Sequence, residues 1–400
     1  MLISTLLFLF LFLLSFVLIF SFWILLRMKK SVSHNLKTAS QQFLSLLVMK
    51  VLGSQSLKSF ERNSKNFKIE NEKLLLSILK ENSETEYGRR HSYKEIKDKK
   101  QFAKIVPLAR YENFESLVRR IEKGEEGLLF GRNLKLRMLG TTSGTSGSIK
   151  LIPMVQKQAS LFFFQGVCTA YATIFKHFPN SFSLQRGLKI MFNPKMKVNE
   201  NKILIGPNSS NPKDSRSVIC LYSSPFELYD LDAYKLKETQ LYLHLLFALS
   251  DPNLGFFEAN FSSSIHDLFV FLEKNHESLT QDILTGKLNQ KVKETLSSEQ
   301  FQTIQKLLPK PNPKRAHQIQ KEFEKGFEGI IRRVWNNINY LLCCTTGFLF
   351  LSHFSCNFFS SFFLSLFIFV AFALQFTLEI RIRLVPNLRR EDEGNTFERK

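Results

Sequence analysis

Residues 139–153 read LGTTSGTSGSIKLIP. Just before them Leu134, Leu136 and Met138 alternate with Lys135 and Arg137, a period of two that predicts a strand. Lys150-Leu-Ile-Pro reads as the strand returning. Between the two, the hydroxyls of Thr141, Thr142, Ser143, Thr145, Ser146 and Ser148 crowd around Gly144 and Gly147. The turn has two readings. Gly, Ser and Thr are ordinary hairpin residues. The same backbone N–H groups also form an anion nest, to which Lys150 adds a point charge. It is not a Walker A loop, because that motif runs into a helix and here the lysine opens a strand.

Working outward, residues 37–80 show apolar residues at helical spacing, with a break expected at Gly53. The polar stretch 81–97 reads as a loop. VPLARYENFESLVRRI starts a helix whose apolar face is Phe114, Leu117, Val118 and Ile121, and KGEEG (123–127) ends it. Downstream of the turn the pattern predicts a helix over 156–176 and strands over 188–192 and 217–224. A helix over 232–250 follows, with Leu236, Leu241, Leu243, Leu245 and Leu246 on its apolar side. A strand over 256–263 leads into a helix over 264–275, PKPNP (309–313) breaks the chain, and a polar, basic helix covers 314–328. Strands alternating with helices indicate an α/β layered fold.

The chain has 400 residues, enough for a large core, with 22% charged and 44% hydrophobic residues. Its net charge is +20, but the basic residues are scattered among acidic ones and no RNP, zinc-finger or basic-zipper signature accompanies them. A nucleic-acid partner is therefore not expected. The charge suits anionic surfaces or a phosphorylated substrate. Cys168, Cys220, Cys343, Cys344 and Cys356 match no zinc or redox spacing and read as reduced thiols, most simply small buried hydrophobes. The eight histidines lack ligand spacing, no Ser/His/Asp set is evident, and His91, His244 and His266 read as surface or packing residues.

Both ends are strongly apolar. Leu2 to Leu26 carries no charge and is followed by Arg27, Lys29 and Lys30, which predicts a transmembrane anchor with the body facing the cytosol. Residues 358–378, FFSSFFLSLFIFVAFALQFTL, make a second candidate span before a charged tail. The expectation is thus a membrane protein, single-pass or two-pass, placed in the endoplasmic reticulum, with an anchor at 1–30, a body at 31–347 and an atypical segment at 348–400.

TTSGTSGSIKLIP resembles the [ST]-[ST]-G-[TS]-[TS]-x-x-x-K phosphate loop of adenylate-forming enzymes, the superfamily of acyl-CoA synthetases and luciferases. Within it the chain is most similar to the Gretchen Hagen three family, the auxin-responsive acyl-acid amido synthetases and their relatives. TEYGRRHSY (85–93), VPLARYENFE (106–115), KGEEGLLFG (123–131), LYSSPFE (221–227), ANFSSSIHDLFVFLEKN (259–275), DILTGKL (282–288) and GIIRRVWNNINYLLCCTTG (329–347) follow the family order. The resemblance implies the N-terminal part of an adenylate-forming α/β fold. It implies ATP-dependent activation of a carboxylic acid with release of pyrophosphate, then transfer of the acyl group to an amine or amino acid. Thr142, Ser143, Gly144, Thr145, Ser146 and Gly147 would cradle the phosphates, Lys150 would be the catalytic cation, and Mg²⁺ would bridge the phosphates. Tyr222, Phe261, Ser262 and Ser263 would lie near the acyl or nucleotide pocket, with a core role the alternative for Tyr222 and Phe261.

The family pattern stops at Gly347. A tyrosine-x-serine-serine-glutamate stretch, a ribose-binding aspartate and a C-terminal lid would follow, and Ser297-Ser298-Glu299 is not that stretch, because it lacks the tyrosine and lies too early. The expectation is a truncated, poorly active synthetase. Its rivals are a non-catalytic membrane-anchored relative acting as an interaction protein, and a polytopic membrane protein with a soluble loop.

Overall fold

The computed structural model describes residues 26–142, 149–192, 196–208, 218–231 and 233–344. In chain order, α1 (Leu36–Lys65), α2 (Phe67–Glu81), α3 (Glu86–Arg90), α4 (Lys99–Ile105) and α5 (Glu112–Glu122) lead to β1 (Leu136–Thr141) and β2 (Leu151–Val155). Then come α6 (Gln156–Leu161), a π-helical turn (Phe162–Val167), α7 (Cys168–His177), β3 (Gly187–Ile190), β4 (Lys197–Val198) and β5 (Leu204–Gly206). The last stretch holds α8 (Phe226–Tyr229), α9 (Ala233–Ser250), β6 (Phe256–Phe261) and α10 (Ser262–Thr285). It closes with α11 (Gln290–Thr295), α12 (Ser298–Leu307), α13 (Pro313–Phe323), α14 (Ile330–Val334) and β7 (Tyr340–Cys344).

Two compact units share these elements. One holds the described residues of 49–173 and 194–211 and is built on a mixed sheet of order β2-β1-β5-β4. β1 and β2 are antiparallel, with Thr141 opposite Leu151 and Gly140 opposite Ile152, and β5 runs parallel to β1 on its other side. This is the hairpin that the alternating pattern predicts. α5 lays Leu117, Val118 and Ile121 on Leu139 and Leu151 of the hairpin, with Phe114 at the edge of the same cluster. Apolar spacing of three and four residues puts these side chains on one stripe, and the arginines and glutamates between them stay outside.

In this unit the expected break at Gly53 is absent, since α1 runs unbroken for 30 residues and the chain turns at Asn66 instead. Gly53 is buried because a helix crosses it. A Cβ there would stand 2.0 Å from the Cys168 carbonyl oxygen at the start of α7 and 2.8 Å from Ala172 Cβ. The expected loop at 81–97 contains the short helix α3. Thr85 caps it by accepting from the Gly88 N–H at 2.9 Å, and the Thr85 hydroxyl donates to the Asn82 carbonyl at 2.7 Å.

The other unit takes the described residues of 26–48, 174–193 and 212–344, around a parallel sheet of order β3-β6-β7. Its core joins Leu188 and Ile190 of β3, Phe257 and Ala259 of β6 and Leu341 of β7 to α9, α10, α13 and α14. α9 is buried on all sides from Thr239 to Ser250, so it is a central helix and not the one-sided helix its leucines suggest. Trp335 is fully buried against the Phe257 ring, and its Nε1–H donates to the Ala248 carbonyl at 3.0 Å. The buried guanidinium of Arg315 on α13 donates to the carbonyls of Leu249 and Val334, closing the last turns of α9 and α14. The expected strand over 217–224 is not formed by its described residues: 218–221 form a 3₁₀ turn, and Tyr222 makes a bridge to Gly187.

The expected membrane placement is corrected. Among the described residues no helix is long and apolar enough to cross a membrane. The longest, α1, carries Lys37, Lys50, Lys58, Glu61, Arg62 and Lys65. Just after the expected anchor, Lys29 and Ser31 bond through their backbones to Leu184, and Lys29 Nζ donates to Asn337 Oδ1 at 3.2 Å. The apolar segments 1–25 and 348–378 themselves lie outside the described residues.

Candidate functional site

The hairpin presents its turn through a closed stem. The Thr142 N–H donates to the Lys150 carbonyl at 3.1 Å, and the Lys150 N–H donates back to Thr142 Oγ1 at 3.2 Å. Thr142 and Lys150 are therefore brought together as the sequence predicts. Ser143, Gly144, Thr145, Ser146 and Gly147 lie outside the described residues. The strands that flank the turn are antiparallel, with Thr141 opposite Leu151.

Two residues that the sequence reading missed hold this stem. The Leu151 N–H donates to the Tyr111 hydroxyl at 3.0 Å, and Lys150 Nζ stands 5.2 Å from the centre of the Tyr111 ring. Lys150 Nζ also lies 3.5 Å from Glu112 Oε1. Glu112 sits in the first turn of α5, where its own backbone amide and the Lys150 charge hold its carboxyl below the usual range. The YEN stretch was legible as a helix entrance, but nothing local connects it to a lysine nearly 40 positions away.

Tyr222 and Ser262 are buried in the other unit, and Phe261 and Ser263 are exposed. The Tyr222 hydroxyl donates to Glu258 Oε2 at 2.9 Å and accepts from Lys189 Nζ at 3.3 Å, while Lys189 Nζ reaches Glu258 Oε1 at 2.6 Å. This cross-strand ion pair between β3 and β6 occupies the phenol, so Tyr222 works here as a core residue that secures its segment. Phe261 stands at the carboxyl end of β6, immediately before α10, with 59% of its surface exposed. Carboxyl ends of parallel strands are where α/β sheets take ligands.

Ser224 Oγ lies 2.7 Å from His244 Nδ1, but both are buried and no carboxylate partners Nε2 among the described residues. Burial holds this imidazole neutral, its pKa lowered to about 3, and the Tyr229 ring packs on it at 4.8 Å. The pair is packing, as expected of His244, and not a nucleophile with its base. Cys168 and Cys343 are buried thiols, in line with their reading as small hydrophobes. Among the described residues no group of three or more His, Cys, Asp or Glu side chains is placed to hold a metal ion.

The sequence profile of the GH3 family N-terminal domain matches residues 56–349. An indole-3-acetic acid-amido synthetase of Arabidopsis thaliana, GH3.4, is 28% identical over 304 residues, covering 73% of this chain and 49% of the relative. A second, GH3.3, is 26% identical over 310 residues. A solved GH3.15 acyl acid amido synthetase superposes with a TM-score of 0.65 at 25% identity, covering 77% of this chain and 54% of that one. A complex of the same enzyme with 2,4-DB gives 0.61. The chain spans about half the length of the curated relatives it matches.

Proposed function

This chain belongs to the GH3 family, and on that premise we propose that residues 31–347 are the amino-terminal part of an ATP-dependent acyl-acid amido synthetase. Such an enzyme activates a carboxylic acid with ATP, releases pyrophosphate and passes the acyl group to an amine or amino acid. The observation that carries the proposal is the closed β1–β2 hairpin with Lys150 at its exit. Thr142 and the turn beyond it supply hydroxyl and amide donors to the phosphates, and Lys150 answers the charge that builds on the departing pyrophosphate. Lys150 faces the exposed carboxylate of Glu112 at 3.5 Å, and such pairs are worth about 0–1 kcal/mol, so the lysine can exchange it for a phosphate. Phe261 and Ser263 are offered to the acyl or nucleotide moiety.

Mg²⁺ normally rides on nucleotide phosphates with few protein ligands. The described side chains offer no cage for it. The substrate classes are a small carboxylic acid and an amine or amino acid.

The test is ATP–pyrophosphate exchange by the 400-residue chain with Mg²⁺ and a broad panel of acids, beside a pyrophosphate-binding measurement. Acid-dependent exchange that collapses in Lys150→Ala supports an active synthetase. Binding without exchange assigns the chain to the non-catalytic relatives. Exchange indifferent to Lys150→Ala contradicts the role given to the hairpin.

A further inference from the structure

The stem of the hairpin is held from outside itself. β2 is the edge strand of its sheet, and beside the bonded Thr142–Lys150 pair the Leu151 N–H faces away from β1, where it donates to the Tyr111 hydroxyl at 3.0 Å. The same ring lies under the Lys150 ammonium, 5.2 Å from its centre. One side chain thus fixes both the backbone where the turn ends and the charge that hangs from it.

Tyr111 does not arrive there by chance. Its helical backbone begins α5, and the Arg110 N–H donates to Asn113 Oδ1 at 2.7 Å, which fixes the turn into the helix. About two and three turns on, Leu117, Val118 and Ile121 are buried against Leu139 and Leu151. The core therefore sets the distance between the start of α5 and the start of β2. Glu112, the next residue, extends from this fixed point to Lys150 with 64% of its side chain exposed, against 33% for the lysine.

We propose that Tyr111 is a positioning residue that presents Lys150 to the phosphates, and that Glu112 is the resting counter-ion those phosphates displace. The inference rests on the hairpin being the phosphate cradle. The division of labour follows from the chemistry. The aromatic face attracts the ammonium without neutralising it and stays in place when an anion binds. The carboxylate is a weak, exposed partner that a more highly charged phosphate outcompetes. Lys150 changes only its companion.

The two residues have opposite predicted signs, which separates positioning from simple damage to the fold. The probe is inorganic pyrophosphate, titrated onto the full chain. Affinity falls about threefold in Tyr111→Leu, the loss expected from an exposed cation–π contact. It rises about twofold in Glu112→Gln, in which the competitor is gone. Both changes vanish when each substitution is combined with Lys150→Ala. A second readout needs no ligand. With lysines labelled by ¹³C reductive methylation, and Lys150 assigned through Lys150→Arg, its methyl resonance is displaced upfield by the Tyr111 ring. It remains displaced in Tyr111→Phe and returns to the position of exposed lysines in Tyr111→Leu. A Lys150 resonance indifferent to Tyr111→Leu overturns the inference, as do effects that persist without Lys150. A displaced resonance with no pyrophosphate binding by the unaltered chain instead overturns the cradle, and the functional half of this inference with it.

Discussion

Replacing Gly53 with alanine sets two quantities against each other. In an exposed helix the change is favourable, by about 1 kcal/mol from helix propensity and the lost freedom of the unfolded chain. At Gly53 the added Cβ would meet the Cys168 carbonyl oxygen at 2.0 Å and its carbon at 2.6 Å. Both are backbone atoms, so no rotamer change relieves the clash, and α1 and α7 must separate locally by about 1.5–2 Å to reach ordinary contact near 3.5–4 Å. Forced overpacking of this kind costs about 1–3 kcal/mol, and backbone contacts lie at the upper end. The net expectation for Gly53→Ala is a loss of about 2 kcal/mol despite the propensity gain. Urea denaturation followed by far-ultraviolet circular dichroism measures it as a lower midpoint with an unchanged slope. The control is Ser54→Ala, the next residue on the exposed side of the same helix, which should move stability by less than about 0.5 kcal/mol. A Gly53→Ala chain as stable as the original, or more so, would refute the close crossing of α1 and α7.

Two further expectations concern buried charge. Burial lowers the His244 pKa to about 3 and that of His34 to about 4, so the folded chain refuses protons that the unfolded chain accepts below about pH 6.5. Their stabilising contribution is complete above that pH and drains away as pH falls toward the folded values. Between pH 7.5 and 4.5, His244→Asn should lose about 2–3 kcal/mol less than the parent chain in urea titrations, and an equal loss would contradict the assignment. Arg315→Met strips the Leu249 and Val334 carbonyls of their donor and should cost about 2–4 kcal/mol, seen as a lowered melting temperature. An unchanged melting temperature would show those bonds to be dispensable.

What the sequence disclosed follows the range of the interactions involved. The β1–β2 hairpin and the inner face of α5 were legible because side-chain period alone dictates which face is buried. A helix break at Gly53 is the expectation from propensity, which treats glycine as a weakness, whereas in the structure its missing Cβ leaves room for the backbone of Cys168. Residues 217–224 have strand-forming composition, but 218–221 take a 3₁₀ turn and the Tyr222 hydroxyl bonds to Lys189 and Glu258. The short helix within 81–97 is announced by its cap, Thr85, which accepts from the Gly88 N–H three residues on. Tyr111 and Glu112 were not legible as site residues, because their contacts with Lys150 and Leu151 exist only once α5 has docked on the hairpin. The apolar run at the N-terminus invited a membrane reading from length alone, and the described helices do not continue it.

The central claim is that the hairpin closed by Thr142 and Lys150 holds pyrophosphate. Isothermal titration of the 400-residue chain with inorganic pyrophosphate, at two salt concentrations, tests it directly. One saturable site is predicted, weaker at higher salt. Lys150→Ala should weaken it by about tenfold or more, the worth of one charge-assisted bond. No saturable binding, or equal affinity in Lys150→Ala, would contradict the account.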